Sequence, residues 1–374
     1  MTDGVLDSQA LARARAPITT AQAMPAGFYT SDAVFAQERK HIFMKRWIFA
    51  GREDQVPAPG DYRSIDTVGG PVILCRGADS VLRAFANFCR HRGALLVKGA
   101  GNSNRFICPY HAWSYYNDGR LYGCPDMADA EGFDRVENGL VPVRMETWAG
   151  FIFLCFDEDT APLAATLGDL PERMASHRLD QMKCTWTVRL ECACNWKSIL
   201  ENAMETYHTG TVHRDSVGAQ TSRSIQTTGD WLCIQVLSTR SIATLPDTAP
   251  PFPAIAGLDA DARQGTYFTV IHPTTQFAVA QDCMWWLSVL PLAADRSILE
   301  IGGCFPKVET DAFDFAERAA PYYDRWEKVG REDIGVLEDQ QIAMGSALYR
   351  PGALSGREDQ VQAIGLWVLD RLGL

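Results

Sequence analysis

Short apolar runs separated by Gly, Pro and Asp occupy the chain from residue 47 to about residue 157. Such punctuation is typical of short strands in a small antiparallel sheet. The strand-like runs are Trp47–Gly51, Gly60–Ile65, Pro71–Arg76, Val81–Asn87 and Phe151–Phe156. This region therefore predicts a small all-β domain.

The rest of the chain alternates longer strand-like runs with helical segments. After a helical connector, the strand-like runs are Thr185–Cys194, Trp231–Leu237, Gly265–Ile271, Gln276–Leu290 and Ser297–Cys304. The connector is Pro162–Arg178, and apolar spacing predicts helices through Phe35–Phe43 and within Thr310–Met344. Residues 1–24 suggest a flexible or wrapping arm. Repeated antiparallel strands with few helices predict an α+β fold.

Length and composition are those of a globular protein. The chain has 374 residues, more than a usual single core, so two domains are expected. A net charge of −11 argues against a nucleic-acid partner, because phosphate binding needs clustered Lys and Arg. No run reaches the roughly 18 apolar residues of a membrane helix. Residues 1–24 also lack the apolar core of a signal peptide, so a cytoplasmic location is expected.

Two tight Cys/His pairs lie in the region of short strands. Cys89 and His91 form the first pair, and Cys108 and His111 form the second; sixteen residues separate the two pairs. Each pair contributes one thiolate and one imidazole. This pairing favours a Rieske [2Fe–2S] centre, in which one iron has two Cys ligands and the other has two His ligands. A structural zinc is the alternative for the same four residues.

A second candidate metal site lies between Asn202 and His213. His208 and His213 are two of only seven histidines, and Glu205 stands three residues before His208. Gly210 weakens the helix between them, so that the chain can bend and bring His213 back towards His208. Two imidazoles and one carboxylate are the ligands of many iron(II) oxygenases. A histidine pair of this spacing alone is more often an ordinary surface or core feature.

Both motif sets together resemble those of the Rieske non-haem iron oxygenase large (alpha) subunits. The matching segments are Asn87–Gly93, Cys108–Tyr115, Asp118–Leu121, Asn195–Lys197 and Glu201–His213. The resemblance implies an N-terminal arm and helix joining the catalytic domain (1–44), a Rieske domain (45–157) and a helix-grip catalytic domain (158–374). The last would contain a large antiparallel sheet with packed helices. Two cofactors are also implied, a [2Fe–2S] Rieske cluster and a mononuclear Fe(II).

The third ligand of the mononuclear iron is implied only by the resemblance. Residues 331–338 are similar to a late acidic segment of the family, which assigns Asp333 as the carboxylate beside the two histidines. Glu338 and Asp339 lie nearby and stay open as alternatives. Without the family pattern, this segment would be interpreted as an acidic, solvated helix face.

Glu205 departs from most of the family, which has an aspartate at this position. The resemblance implies that the carboxylate links His208 to a Rieske histidine of a neighbouring subunit, in a ring that is commonly a trimer. A homotrimer is therefore expected. The same motif puts Asn202 and Tyr207 among the catalytic residues.

A glutamate at position 205 points to the group of the family that acts on quaternary ammonium compounds, such as carnitine and betaine oxygenases. Trp285, Trp286 and Tyr267 are candidate pocket residues, since aromatic rings attract an ammonium group. Adjacent strand residues point to opposite faces, so at most one of the two tryptophans is expected to reach a pocket. Each of the three aromatic residues is otherwise a sheet-core residue.

The resemblance implies a terminal oxygenase that uses O2 to oxygenate a small organic substrate. Gly99–Gly101 lacks the third glycine and the helix of a dinucleotide loop, so electrons are expected from a separate NAD(P)H-dependent flavin/iron–sulfur reductase. Monooxygenation with N-dealkylation or C–N cleavage is expected for a quaternary ammonium or betaine-type compound. An aromatic ring-hydroxylating oxygenase is the alternative. Two other classes are a Rieske electron carrier and a zinc-stabilised binding protein.

Overall fold

The structure is a computed structural model that describes residues 6–374, so residues 1–5 of the predicted arm lie outside the described residues. The chain separates into two compact units. Met44–Thr160 form one unit, which we call the inserted unit. Met1–Phe43 and Ala161–Leu374 form the other, which we call the flanking unit. None of the described helices is long and apolar enough to cross a bilayer.

The described residues of the inserted unit form ten short strands. These are β1 Ile48–Arg52, β2 Asp61–Ile65, β3 Val72–Arg76, β4 Leu82–Ala86, β5 Ala100–Asn102, β6 Arg105–Ile107, β7 Ser114–Tyr116, β8 Leu121–Gly123, β9 Arg144–Trp148 and β10 Phe151–Cys155. They form three antiparallel sheets in the orders β1-β10-β9, β4-β3-β2-β5 and β6-β7-β8. The prediction of a small all-β domain is confirmed.

Strand β3 separates two cores because its side chains alternate between the two faces of its sheet. Ile73 and Cys75 belong to a core that also contains the side chains of Cys89 and Cys108. Val72 and Leu74 pack instead in a core with strand β10. The strand therefore supports the candidate cluster loops on one side and the β1-β10-β9 sheet on the other.

The flanking unit combines helices with one large sheet. Its described helices are α1 Ser8–Ala14, α2 Gly27–Thr30, α3 Asp32–His41, α4 Leu163–Leu167, α5 Leu170–Arg173, α6 Trp196–Asn202, α7 Thr209–Val212, α8 Lys307–Thr310, α9 Phe315–Met344 and α10 Asp359–Leu372. Its strands are β11 Met182–Cys192, β12 Ser222–Ile225, β13 Trp231–Leu237, β14 Gly265–Ile271, β15 Thr275–Val279, β16 Met284–Ala293 and β17 Arg296–Pro306. The antiparallel sheet has the order β11-β17-β16-β15-β14-β13-β12, and the predicted α+β class is confirmed.

Two details of the sheet differ from the sequence prediction. The run Gln276–Leu290 is not one strand but a hairpin of β15 and β16, which turns where the Ala280 N–H donates to the Cys283 carbonyl at 2.9 Å. The turn contains the polar residues Gln281 and Asp282, but both are buried like the apolar residues on either side of them. Strand β12 was not predicted, since its residues are mostly polar and lie at the sheet edge.

A buried ion pair joins the N-terminal segment to helix α6. Lys197 on α6 donates a hydrogen bond to Glu38 on α3, and both side chains are fully buried. The Trp196 indole N–H donates to the other Glu38 oxygen at 2.8 Å. The Asn195 side chain caps the first turn of α6 by accepting from the Lys197 N–H at 3.0 Å. Because an unpaired buried charge costs several kcal/mol, these contacts fix α6 against α3.

Two adjacent glycines of β17 leave room for indole rings on opposite faces of the sheet. A side chain at Gly302 would overlap Trp286 of β16, and a side chain at Gly303 would overlap Trp326 of α9. Trp326 in turn stacks on Trp285 with ring centroids 5.4 Å apart. The missing side chain at Gly303 therefore lets α9 lie close to the sheet.

We predict that Gly303→Ala destabilises the protein by about 1–3 kcal/mol, because the added methyl group overpacks the contact with Trp326. Thermal unfolding followed by circular dichroism measures the change. Gly335→Ala is the matched control on α9: no atom lies within 4 Å of an added Cβ there. That control should gain about 0.5–1 kcal/mol from helix propensity. Equal unfolding temperatures of the two variants would contradict the proposed contact.

Candidate metal centres

Two loops of the inserted unit carry the Cys/His pairs with the same local geometry. In the first loop, the Gly93 N–H donates to the Cys89 carbonyl at 2.9 Å. In the second loop, the Ala112 N–H donates to the Cys108 carbonyl at 3.1 Å. Gly93 and Ala112 both have positive φ, 74° and 57°, and so turn the chain at the same position in each loop. The two pairs are therefore presented by equivalent turns.

The thiols and imidazoles of these loops differ in burial. Cys89 and Cys108 are 1% and 3% exposed, whereas His91 and His111 lie on the exposed side of the loops. The two imidazole centroids are 4.7 Å apart. A group with two thiolate and two imidazole ligands, buried at its sulfur end and exposed at its histidine end, fits this donor set.

Aromatic residues support the two loops. The Tyr115 hydroxyl lies 3.3 Å from the Cys89 sulfur and accepts from the Arg90 N–H at 3.0 Å. His91 stacks on Trp113, with ring centroids 4.9 Å apart and planes at 7°. Burial first, and then the hydrogen bond with Cys89, raises the pKa of Tyr115 well above its ordinary value. The hydroxyl therefore stays a neutral hydrogen-bonding group beside the sulfur.

In the flanking unit, Glu205 shapes the chain between α6 and α7. Its carboxylate accepts hydrogen bonds from the backbone N–H groups of Tyr207 and His208, the latter at 3.1 Å. It also lies 2.5 Å from Nδ1 of His208. One side chain thus fixes both the turn before α7 and the orientation of the His208 ring, whose Nε2 is left to point away from Glu205.

Helix α9 supplies two acidic residues to the second histidine. Glu332 lies 2.8 Å from His213 Nδ1 and accepts from the Ser216 hydroxyl at 2.6 Å. Asp333 lies 3.0 Å from His213 Nε2 and 3.6 Å from His208 Nε2. Burial alone would lower the pKa of His213, but hydrogen bonds and charges from the Asp333 and Glu332 carboxylates raise it. Both imidazoles consequently direct Nε2 towards Asp333.

The arrangement of His208, His213 and Asp333 fits a divalent iron. One donor atom from each residue lies within 4.8 Å of the others. Asp333 Oδ1 is buried, and both Nε2 distances are to this one oxygen. Two neutral imidazoles with one carboxylate are the ligand set of many iron(II) oxygenases. Carboxylates bound to the remote nitrogen of ligating histidines, as in Glu205 and Glu332 here, are the usual supports of such sites.

The alternative carboxylates are engaged elsewhere or directed away. Glu338 accepts from the Ala193 N–H at 2.8 Å. Asp339 is exposed, six residues beyond Asp333 on α9. Neither belongs to the group of donor atoms that the structure brings together. The assignment of Asp333 is therefore better supported than either alternative.

A cavity opens beside the three candidate ligands. Its floor is a row of side chains that are neighbours across four strands, Ile234, Phe268, Ala278 and Trp285. Helix α9 forms the opposite wall with Arg325, Trp326 and Val329. The lining is largely apolar, and a substrate held there would lie next to the candidate iron ligands.

The predicted pocket residues lie on opposite faces of the sheet, because side chains alternate along each strand. Trp285 lines the cavity and contacts Phe268 edge to face, with ring centroids 5.6 Å apart. Trp286 and Tyr267 do not line it, and their prediction as pocket residues is not supported. Both belong to the other row of side chains, because neighbouring residues of a strand point to opposite faces. Trp286 lies against Gly302, and Tyr267 contacts His177.

The remaining predicted catalytic residues also differ in location. Asn202 lines the cavity at the end of α6. Tyr207 is 59% exposed and lies under the Arg357 guanidinium, 5.6 Å from its ring centroid, outside the cavity. Its side chain does not line the cavity, so its predicted catalytic role stays a prediction without support from this geometry.

Sequence reasoning missed two residues of the site, Glu332 and Arg325. Glu332 is adjacent to Asp333, and its role depends on the rotation of α9 that also brings Asp333 to the histidines. Arg325 lies eight residues before Asp333, so Arg325 and Asp333 are on one helical face. This helical spacing was the sequence signal that could have identified Arg325. It was not sufficient, because an isolated arginine in a charged helix is normally solvated.

Comparisons with known proteins agree with both centres. Residues 46–139 match the Rieske [2Fe-2S] domain family, and residues 174–374 match the family described as ring hydroxylating alpha subunit (catalytic domain). The carnitine monooxygenase oxygenase subunit of Acinetobacter baumannii is 38% identical over 192 residues, which cover 50% of this chain. The match spans about half, 52%, of that protein's own length.

Two further similarities cover most of the chain. The glycine betaine monooxygenase oxygenase subunit of Pseudomonas aeruginosa is 26% identical over 365 residues, covering 89% of this chain and 84% of that protein. The crystal structure of the quaternary ammonium Rieske monooxygenase CntA with L-carnitine superposes with a TM-score of 0.78. Its sequence identity is 27%, over 94% of this chain and 96% of that one.

The family matches confirm the predicted cofactors, a Rieske [2Fe–2S] cluster and a mononuclear iron. The four Cys and His residues of the inserted unit and the His–His–Asp group of the flanking unit fit them. The match of the catalytic domain extends over more than half of the chain. The chain therefore belongs to the family of ring-hydroxylating oxygenase alpha subunits that carry a Rieske domain.

Proposed function

We propose that this protein is a terminal oxygenase that uses O2 and reductase-supplied electrons to oxygenate a small quaternary ammonium or betaine-type substrate. The convergence of His208, His213 and Asp333 beside a largely apolar cavity carries the proposal. Similarity over most of the chain to oxygenase subunits named for glycine betaine and to CntA with L-carnitine supports the substrate class.

Each group of residues has a distinct role in this proposal. When bound, the cluster supplies single electrons and the mononuclear iron supplies the activation of dioxygen. The residues that would hold them are Cys89, His91, Cys108 and His111 for the cluster, and His208, His213 and Asp333 for the iron. Glu205 and Glu332 orient the two imidazoles. The cavity walls hold a substrate C–H bond nearby and exclude bulk water.

The reaction balances with the co-reactants that the proposal names. A C–H bond next to nitrogen and O2, with two electrons and two protons, give a hydroxylated carbon and one water. The electrons come from a separate NAD(P)H-dependent flavin/iron–sulfur reductase. The hydroxylated product is a hemiaminal, whose C–N bond breaks to release an amine and a carbonyl compound. The overall outcome is N-dealkylation or C–N cleavage.

An aromatic ring-hydroxylating oxygenase is the second candidate, because Ile234, Val236 and Phe268 would also surround a ring. A plain hydrocarbon, however, would leave the buried Arg325 in the cavity without a partner. A Rieske electron carrier and a zinc-stabilised binding protein are set aside, because the chain belongs to an oxygenase family with a second, mononuclear metal centre.

The assembly and location of the protein are part of the proposal. We infer a homotrimer in the cytoplasm, with Glu205 on the electron path between one subunit's cluster and the next subunit's iron. The similarity to a structure described in terms of inter-subunit electron transfer supports this path. Sedimentation of the purified protein measures the oligomeric state, and a monomer with full turnover would contradict the path.

The activity is tested with the purified protein, a surrogate reductase and NADH. Carnitine, γ-butyrobetaine and glycine betaine are supplied in parallel with naphthalene, and oxygen uptake and products are measured. We expect oxygen uptake coupled to amine and carbonyl products for at least one of the three ammonium compounds. Coupled hydroxylation of naphthalene alone would favour the second candidate.

We predict that Asp333→Ala loses the mononuclear iron and turnover, because two imidazoles alone bind Fe(II) weakly. The visible spectrum of the cluster should be unchanged, since its ligands lie in the other unit. Iron and labile sulfide analyses separate the two centres. Asp339→Ala, on the same helix, is the matched control and should keep both metals. Iron retention in Asp333→Ala with loss in Asp339→Ala would reverse the assignment.

We predict that Glu205→Gln keeps both metal centres but slows reoxidation of the reduced cluster about 10-fold or more, as expected for loss of a carboxylate behind a ligating histidine. Stopped-flow absorbance with substrate and O2 measures the rate. Glu332→Gln is the matched comparison, because it removes the equivalent carboxylate from His213 rather than His208. Equal reoxidation rates in the two variants would exclude a special role of Glu205 in electron transfer.

A further inference from the structure

Arg325 lies in the cavity of the mononuclear centre as a buried cation. Its side chain is 4% exposed and forms part of the α9 wall. Arg325, Val329 and Asp333 follow at intervals of four residues, which puts them on one face of the helix. The guanidinium therefore shares a cavity with the candidate iron ligand two turns further along α9.

No acidic side chain of residues 6–374 forms an ion pair with this guanidinium, and its Nε has no hydrogen-bond acceptor there. Burial lowers the pKa of Arg325 to about 10, so the group is still protonated at neutral pH. A buried charge without a partner costs several kcal/mol. Its persistence in a substrate cavity suggests that a ligand supplies the missing anion.

The nearest acidic groups already have other partners. Asp333 faces the two histidines, and Glu332 binds His213 and Ser216. Their charges attract Arg325 only at longer range. The indole N–H of Trp326, the next residue, is also buried without an acceptor within residues 6–374. Two neighbouring donors on the cavity wall thus lack acceptors.

The aromatic surface beside Arg325 is largely occupied. The guanidinium lies 5.0 Å from the Trp285 ring centroid, and Trp285 also stacks on Trp326. A substrate ammonium placed on Trp285 would lie next to the guanidinium and be repelled by it. The cationic end of a substrate is therefore better placed away from Arg325.

We propose that Arg325 binds a carboxylate group of the substrate. A guanidinium matches a carboxylate with two parallel hydrogen bonds, which makes it selective for this group. Combined with the proposed function, on which this part rests, the substrate is a zwitterion with its carboxylate at Arg325 and its ammonium end towards His208 and His213. An ammonium alcohol or a hydrocarbon lacks the anion and binds weakly.

Calorimetric titration of the anaerobic holoenzyme without reductase measures binding separately from turnover. The probes are γ-butyrobetaine and its carboxamide, which has the same length and ammonium group but no anionic charge. The native protein should bind the carboxylate at least about 10-fold more tightly, as expected for a hydrogen-bonded charge. Arg325→Gln should abolish this preference, and Arg325→Lys should retain part of it. Arg331→Gln, which removes an exposed guanidinium from the same helix, should keep it.

Thermal unfolding distinguishes recognition from a structural role. Because Arg325 lacks an anionic partner, Arg325→Gln should unfold at the same or a higher temperature than the native protein. A lower temperature, with both probes weakened equally, would overturn the inference, as would an unchanged preference for the carboxylate.

Turnover assays keep the two proposals distinguishable. Oxidation of the carboxamide as efficiently as γ-butyrobetaine would overturn the role of Arg325 and leave the proposed function intact. Arg325-dependent binding of benzoate, with no ammonium compound oxidised, would support the carboxylate site and overturn the proposed function.

Discussion

The close contact between helix α9 and the sheet is the constraint on which the catalytic half of the molecule depends. Gly303 has no side chain, and Trp326 occupies the space that one would fill. This contact sets the distance and the rotation of α9. Asp333 and Arg325 are carried by the same rigid helix, so their separation is fixed by backbone geometry. A small packing requirement in one strand thereby determines where an acidic and a basic group face the cavity.

Each imidazole of the mononuclear centre is oriented by a carboxylate at its Nδ1 atom, and the two carboxylates differ in how far they lie along the sequence from their histidine. Glu205 is three residues from His208, so the contact is local and shapes the turn itself. Glu332 is 119 residues from His213, so this contact requires the complete fold. Half of the support can therefore form as soon as the turn forms, whereas the other half depends on the docking of α9. The complete centre is a property of the folded unit.

The strands, the Rieske loops and the histidine pair could be predicted from local patterns. The residues of each motif, such as Cys89 and His91, are close in sequence, so the local backbone brings them together. Asp333 was predicted by resemblance alone, since the rotation of a long helix on a distant sheet has no local signal. Alternation separated Trp285 from Trp286 but did not say which faces the cavity. Arg325 could not be predicted, because its burial results from the packing of α9 against the sheet, where it contacts Trp285. Long-range docking is thus the part that local sequence did not reveal.

The pairing of Lys197 with Glu38 has a consequence for the modular organisation of the chain. Glu38 precedes the inserted unit and Lys197 follows it, so the catalytic unit is discontinuous in sequence. The two ends of the inserted unit meet, since the Thr160 hydroxyl donates to the Lys45 carbonyl at 3.1 Å. A module whose ends are adjacent can be inserted into a loop of a host without disturbing it. The inserted unit is therefore organised as a module within a discontinuous flanking unit, and a chain cut at residue 160 would separate Lys197 from its buried counter-ion Glu38.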